Sequence, residues 1–427
     1  MDYPAYPVYR ESGIEWLGKI PDHWEVRRLK FVAEIQNGRD YKEVESSEGY
    51  PVFGSGGVFR FATEYLYDGE SVLFGRKGTI DKPLYVNEKF WTVDTMFYSV
   101  ILEQTHGRFL YFFATTLQFN LLATQTALPS ITQTDLGNYL ISYPTYQEQQ
   151  TIAQFLDYKT QQIDQLIAKK RTLIDRLNEQ RIALITHAVT KGLNPAVTLK
   201  DSGVEWLGKV PKHWEISKLG YFSESLQTGP FGSQIHAEEY IDGGIPLINP
   251  AEIINGILRY NPRVTVDYAT AERLKRHQLM EGDIVIARRG EMGRAGLTKK
   301  ENVGWLCGTG SLRARLETEK LMPEYLLQLF SLSGTADYLS LQSVGSTMDN
   351  LNTSILNQLP IIVPPIEEQR EIEAYLDKET ARIDQMVGIN QQTIDKLKEY
   401  RTALITAAVT GKIDLRNWQQ EANHANP

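Results

Sequence analysis

The chain has 427 residues, 42% of them hydrophobic and 23% charged, with a formal net charge of −8 at pH 7. That length suits two to four ordinary domains, and the composition excludes wholesale disorder and collagen-like structure. A single cysteine, Cys307, excludes an intrachain disulfide and a cysteine-rich metal site. No apolar run approaches the ~18 residues of a membrane span, and Met1–Gly13 lacks a signal-peptide core, so a cytoplasmic protein with no membrane partner is expected.

The first element is a head at residues 11–29, ESGIEWLGKIPDHWEVRRL. It returns at 201–219 as DSGVEWLGKVPKHWEISKL, at an offset of 190 and with 12 of 19 positions identical. Its tryptophans, Trp16 and Trp24, then Trp206 and Trp214, are expected to pack head against helix. The middle that follows carries β-rich runs at 71–78 and 90–100, a GSGG turn at 54–57 and a helical stretch near 107–122. One run ends in a basic turn, Gly75-Arg76-Lys77-Gly78. A polar segment at 124–132 (TQTALPSIT) precedes the next element.

That element is a long helix at 144–192. Leu156, Ile163, Leu177 and Leu184 fall on a seven-residue spacing, with Ile167 and Ile174 filling the seam, which is a coiled-coil pattern. Thr145 and Glu148 form a capping-box signature, and Gly192 stands where the pattern stops. Residues 193–200 read as a linker. The second middle repeats the plan with runs at 245–250 and 282–290, a basic turn Ala287-Arg288-Arg289-Gly290 and a helical stretch near 322–341. A second helix at 364–412 matches the first at 22 of 49 positions, now at an offset of 220, with Leu376, Ile383, Val387, Ile394, Leu397 and Leu404 on its seam. Lys170 and Asn390 are polar at one step of that seam, which suits either a register-fixing core position or a solvent-facing one. Residues 413–427 read as a tail.

The pattern predicts an α+β chain with an internal pseudo-twofold repeat. Globular regions at 1–143 and 201–363 would be separated by two long helices that pair antiparallel as a stiff spacer. The rise in offset makes the second middle about thirty residues longer. Shared frame with diverged middles suits one scaffold presenting two recognition surfaces.

The negative total argues against a nucleic-acid binder, but local patches decide such binding. Residues 273–300 carry eight Lys or Arg against three acids. Arg288, Arg289 and Arg294 lie there, and Arg313 and Arg315 follow on the next strand. Such cations suit phosphate neutralisation and guanine reading. Two basic turns in diverged middles point the same way. Independent chemistry is not expected: there is no phosphate-binding loop of the GxxxxGK[ST] type, and no Asn-Pro pair is followed by a second proline and an aromatic residue. The one nuclease-like set, Asp22 with Asp40 and Lys42, loses its first acid to Lys212 in the duplicate head. No catalytic residue and no metal site is assigned.

The two heads, the GSTMDNLN segment leading to PPIEEQ, and the paired IDQ and ALIT motifs of the helices together resemble a type I restriction–modification specificity subunit, over about 11–412. The resemblance implies two target recognition domains, each reading half of a bipartite site in double-stranded DNA. It implies helices that act as a ruler, and docking of two methyltransferase (M) subunits and of restriction (R) subunits. It implies no cofactor on this chain; S-adenosylmethionine, ATP and Mg²⁺ would serve the partners. DNA contacts carry over to Arg76, Lys77, Arg288, Arg289 and Arg294, and the junction before the second helix to Gly345, Ser346 and Thr347. The first half departs from the family pattern, with Thr124-Gln125-Thr126 at the junction and Pro144-Thr145 in place of a proline pair. A protein-only scaffold and an autonomous nuclease are the competing readings.

Overall fold

The computed structural model describes residues 3–124, 129–343 and 351–418. The chain divides into two compact units, Met1–Thr172 with Asn390–Pro427, and Leu173–Ile389. Both long helices are continuous, Tyr146–Lys191 and Ile366–Val409, and the division passes through each of them. Each unit therefore holds one middle with the start of its own helix and the end of the other.

In the first unit a seven-stranded sheet runs in the order Ala33–Asn37, Met96–Ile101, Tyr67–Gly75, Leu84–Thr92, Tyr50–Gly54, Gly57–Ala62, Glu45–Ser46. Neighbours are antiparallel except Tyr50–Gly54 on Leu84–Thr92. Successive side chains on a strand point to opposite faces, yet Val72, Leu73 and Phe74 are all buried. Both faces of that central strand are thus covered, and the helix Gly107–Ala114 packs against it. In the second unit the strands Ser223–Thr228, Ser311–Leu316, Ile284–Ala287 and Ala295–Leu297 repeat the order of the first four. The extra length lies between residues 228 and 284. It supplies the strands Tyr240–Ile241, Ile245–Ile248 and Thr265–Val266, which join Leu306–Cys307 in a separate four-stranded sheet. That insertion accounts for the larger offset of the second helix.

The heads are built alike. A hairpin of Tyr9–Glu11 with Lys19–Pro21 has its counterpart in Leu199–Asp201 with Lys209–Pro211. Leu199 and Lys200, expected in a linker, therefore belong to the second head. The strands Glu25–Arg28 and Glu215–Lys218 pair with Leu140–Tyr143 and Pro360–Val363, which lead into the long helices. Thr145 N donates to Glu148 Oε2 and Glu148 N to Thr145 Oγ1, both at 3.4 Å, closing the capping box, and Thr145 Oγ1 also donates to Glu148 Oε2 at 2.9 Å. The same carboxylate bonds His23 Nε2 at 2.9 Å and accepts from Trp24 Nε1 at 3.3 Å. Glu368 does this for His213 at 2.6 Å and Trp214 at 2.8 Å. Trp24 and Trp214 are buried and bonded to the long helices, as expected, whereas Trp16 and Trp206 are half-buried and lie against the middles, Trp16 on Phe113 and Tyr139 and Trp206 beside Gly334.

The end of the opposite helix completes each head. Gly411 (φ +72°) lies so close that a Cβ would sit 2.4 Å from Pro21 Cδ, and Gly192 (φ +76°) lies against the Trp214 ring. Left-handed backbone at close approach is what a glycine permits here. Ser142 Oγ donates to the Val409 carbonyl at 2.6 Å, and Lys412 Nζ donates to the Leu17 carbonyl at 3.0 Å. The supposed tail is also part of the fold through residue 418: Ile413 and Leu415 are buried, and Asp414 N donates to the Pro4 carbonyl at 2.7 Å.

Within each unit the helix segments run antiparallel. In the first, Phe155 meets the Trp418 ring at 5.4 Å while Asp164 pairs with Arg401 at 3.0 Å. In the second, Arg181 pairs with Asp384 at 2.5 Å, while Gly192 and Glu368 meet the same Trp214 side chain. Asp164 and Asp384 are equivalent in the repeat, as are Arg181 and Arg401, so one ion pair is made twice. These pairs are solvent-exposed and contribute at most ~1 kcal/mol each; the seam supplies the stability. Leu156, Ile163, Ile167, Leu177, Leu376, Ile383, Ile394 and Leu404 are buried, and Ile174, Leu184, Val387 and Leu397 half-buried. Asn390 is buried and Lys170 half-buried, so the polar step faces inward on the second helix.

Glu373 stands where the first helix has Ala153. It is 6% exposed, and Gln328 Nε2 reaches its Oε2 at 3.5 Å. Burial, outweighing the Gln328 bond and helped by Asp377 and Glu324, pushes its carboxyl up to about 7. A folded value above the unfolded one means that stability is lost as pH rises through that value. Glu373→Gln should therefore stabilise the chain by about 1–3 kcal/mol at pH 8 and not at pH 4. Thermal unfolding at the two pH values checks this; an equal effect at both would contradict it.

Candidate nucleic-acid interface

In both units the basic turn follows a central strand and is fastened on two sides. Arg76 N donates to the Thr95 carbonyl at 2.9 Å, and the Arg76 carbonyl accepts from Ile131 N at 3.0 Å. Arg288 N donates to the Gly310 carbonyl at 2.8 Å, and its carbonyl accepts from Leu351 N at 2.9 Å. The partners are equivalent: one is the start of the neighbouring strand, the other the polar segment before the long helix. Gly78 N to the Pro129 carbonyl, at 3.0 Å, adds to the first set. The structure thus brings together two features that lie some fifty or more residues apart in sequence. Short helices then begin under side-chain caps, Thr132 on Asp135 N and Asn352 on Ile355 N.

The candidates separate by environment. Arg76, Lys77 and Arg289 are exposed. Arg76 reaches the Asp94 carbonyl at 3.3 Å, which leaves donors of its guanidinium free. Arg288 is half-buried and its Nε donates to the Leu351 carbonyl at 2.9 Å; burial and the charge of Arg289 lower its pKa. Among the described residues no acid pairs with Arg76, Lys77, Arg288 or Arg289. Arg294 is different: it pairs with Glu291 and donates to the Pro250 carbonyl at 3.1 Å.

Arg313 and Arg315 require a correction. Arg313 is buried and donates to the Arg276 and Gln278 carbonyls, Ser225 Oγ and Gln227 Oε1. Arg315 grips the buried Asp283 through two bonds of 2.7–2.8 Å. Both hold the sheet together rather than face a ligand. The surrounding positive charge is also reduced locally, because Arg273 pairs with Glu239 and Lys275 with Glu272, outside the basic window. Gly345, Ser346 and Thr347, with Gln125 and Thr126, lie outside the described residues.

One exposed cation escaped the sequence reading. Trp91 Nε1 donates to the Arg39 carbonyl at 2.9 Å and Arg39 N to the Thr92 carbonyl at 2.9 Å. Arg39 is thereby fixed beside the 92–96 turn on which Arg76 rests. The second copy has Gly229-Pro230 at Gly38-Arg39, so the repeat carried no sign of it.

Residues 21–176 and 211–399 match the model of one protein family, the type I restriction modification DNA specificity domain. The chain belongs to this family. Full-length relatives of the specificity family agree. The type I restriction enzyme MjaVIII specificity subunit of Methanocaldococcus jannaschii is 24% identical, covering 93% of this chain and 95% of its own. The EcoBI specificity subunit of Escherichia coli is 21% identical over 96% and 90%. Two solved structures share the fold. A chain from a type I R-M system superposes with a TM-score of 0.70 at 17% identity, covering 92% of this chain and 99% of that one. The HsdS subunit of Thermoanaerobacter tengcongensis gives 0.54 at 18%, covering 92% and 98%. Two matched segments with an unmatched stretch between them, 177–210, reflect the duplication of the specificity fold. Among the described residues no helix is long and apolar enough to cross a membrane, and no group of three or more His, Cys, Asp or Glu is gathered to hold a metal.

Proposed function

We propose that this chain is the noncatalytic, cytoplasmic DNA-recognition subunit of a type I restriction–modification complex. Its two middles act as target recognition domains, each reading one half of an asymmetric bipartite site. The observation that carries the reading is the twice-built interface: a basic turn locked to the pre-helix segment, on two middles whose sequences differ. Unlike halves follow from unlike surfaces. Arg39, Arg76 and Lys77 would serve one half-site, and Arg288 and Arg289 the other. The paired helices would set the spacer, since one added residue turns a helix by ~100°. Half-sites about one duplex turn apart, ~34–36 Å, would then lie on one face.

Two M subunits and the R subunits would dock on the remaining frame. Exposed apolar residues on the long helices, Leu166, Leu173, Ile182 and Ile389, offer such contacts. S-adenosylmethionine, ATP and Mg²⁺ would be used by those partners. With six or more phosphates neutralised, affinity of the assembled complex for duplex DNA should fall about 10³-fold between 50 and 200 mM salt. Fluorescence anisotropy over that range reads the slope, and a flat response would contradict DNA recognition.

A further inference from the structure

The two heads carry the same socket, and among the described residues a tyrosine fills the first and none the second. In the first unit Tyr6 plugs it. The Tyr6 hydroxyl donates to Glu148 Oε1 at 3.3 Å, and its ring lies 5.7 Å from both His23 and Trp24. Alongside, Tyr3 and Trp418 cover Phe155 at 5.2 and 5.4 Å. In the second unit His213, Trp214 and Glu368 repeat the socket. The hairpins share a register, Tyr9 on Pro21 and Leu199 on Pro211, which places Ala196 at the position of Tyr6 and Leu193 at that of Tyr3.

Exposure follows the missing plug. The Glu148 side chain is 9% exposed and that of Glu368 36%. Phe155 is fully buried, whereas its equivalent Tyr375 is 38% exposed. A cleft of about 400 Å³ remains, lined by Asn194, His213, Glu368, Glu371 and Ile372 among others. It offers an apolar wall, a stacking imidazole and a carboxylate acceptor, the set that holds a phenol in the first unit.

We propose that this open socket receives a tyrosine side chain from a segment of a partner protein, ring against His213 and hydroxyl on Glu368. The occupant comes from another protein because residues 193–198 carry no aromatic side chain and Tyr3 and Tyr6 are engaged in the first unit. The filled copy is the template for its chemistry.

The probe is a synthetic peptide with the sequence of residues 2–9, DYPAYPVY, added to the full chain. Saturation-transfer NMR should show saturable contact with its tyrosine rings at millimolar concentration or below. Changing the peptide's second tyrosine to alanine should weaken binding at least tenfold. Ala196→Tyr in the protein should fill the socket from within and abolish binding; Asn194→Trp, at the rim, should do the same should the first variant fold poorly. No saturable signal, or a signal undiminished in both variants, would overturn the proposal. Self-association of the chain that Ala196→Tyr removes would also overturn it, by placing a second copy's tyrosine in the socket.

Discussion

Replacing Ile163 and Ile383 together by aspartate should destroy the helix pairing and prevent assembly with partner subunits. The two residues are equivalent in the repeat and are 7% and 3% exposed, one in each unit. Each substitution removes a large apolar side chain, at a cost of about 2–5 kcal/mol, and leaves an unpaired carboxylate in its place. Two such losses match the whole stability of an ordinary domain, about 5–15 kcal/mol. The exposed pairs Asp164–Arg401 and Arg181–Asp384 are too weak to compensate. Ile182→Asp is the control for folding alone: Ile182 is 64% exposed, so that variant should melt normally even where it weakens a docking contact. Thermal melting and size-exclusion chromatography with the partners read the outcome. A normally melting, normally assembled double variant would remove the claim that the buried seam holds the frame.

Replacing Arg288 and Arg289 by alanine should weaken recognition at one half-site and leave the other intact. Losing one phosphate contact lowers the salt slope by about one, and losing a paired base contact costs about 1–3 kcal/mol. The expected result is a 10- to 100-fold loss of affinity, with relaxed discrimination in one half of the target only. Arg288 also holds the Leu351 carbonyl, so its removal loosens the segment before the second helix. Arg289 is exposed, so Arg289→Ala alone should weaken binding without changing the melting temperature. Arg76→Ala with Lys77→Ala should act on the opposite half. Unchanged affinity, or equal relaxation in both halves, would exclude these turns from base or phosphate contact.

The seam was legible because a seven-residue apolar spacing admits one geometry, and the helix ends because Thr145, Glu148, Gly192 and Gly411 are strong stop and start residues. The exchange of helix ends was legible only through the expected antiparallel pairing, not from the heads themselves. Nothing in the sequence of Trp24 says that Gly411, rather than Gly192, will close over it, since the two copies of each part are nearly interchangeable. Arg313 and Arg315 misled for another reason. Alternation in Ser311–Leu316 puts both arginines on one strand face, which reads as a solvent face. The fold instead places Asp283 and the carbonyls of residues 276 and 278 against that face. The basic window between 273 and 300 exaggerated its charge because Glu239 and Glu272 lie just beyond it in sequence and beside it in space.

The most direct test of the central claim is a methylome. The chain would be co-expressed with its neighbouring methyltransferase subunit in a host free of DNA methylation, and modified bases mapped across the genome. The account predicts a split motif, with two unlike halves at a fixed gap. A continuous motif, or no new methylation from a soluble assembled complex, would contradict it.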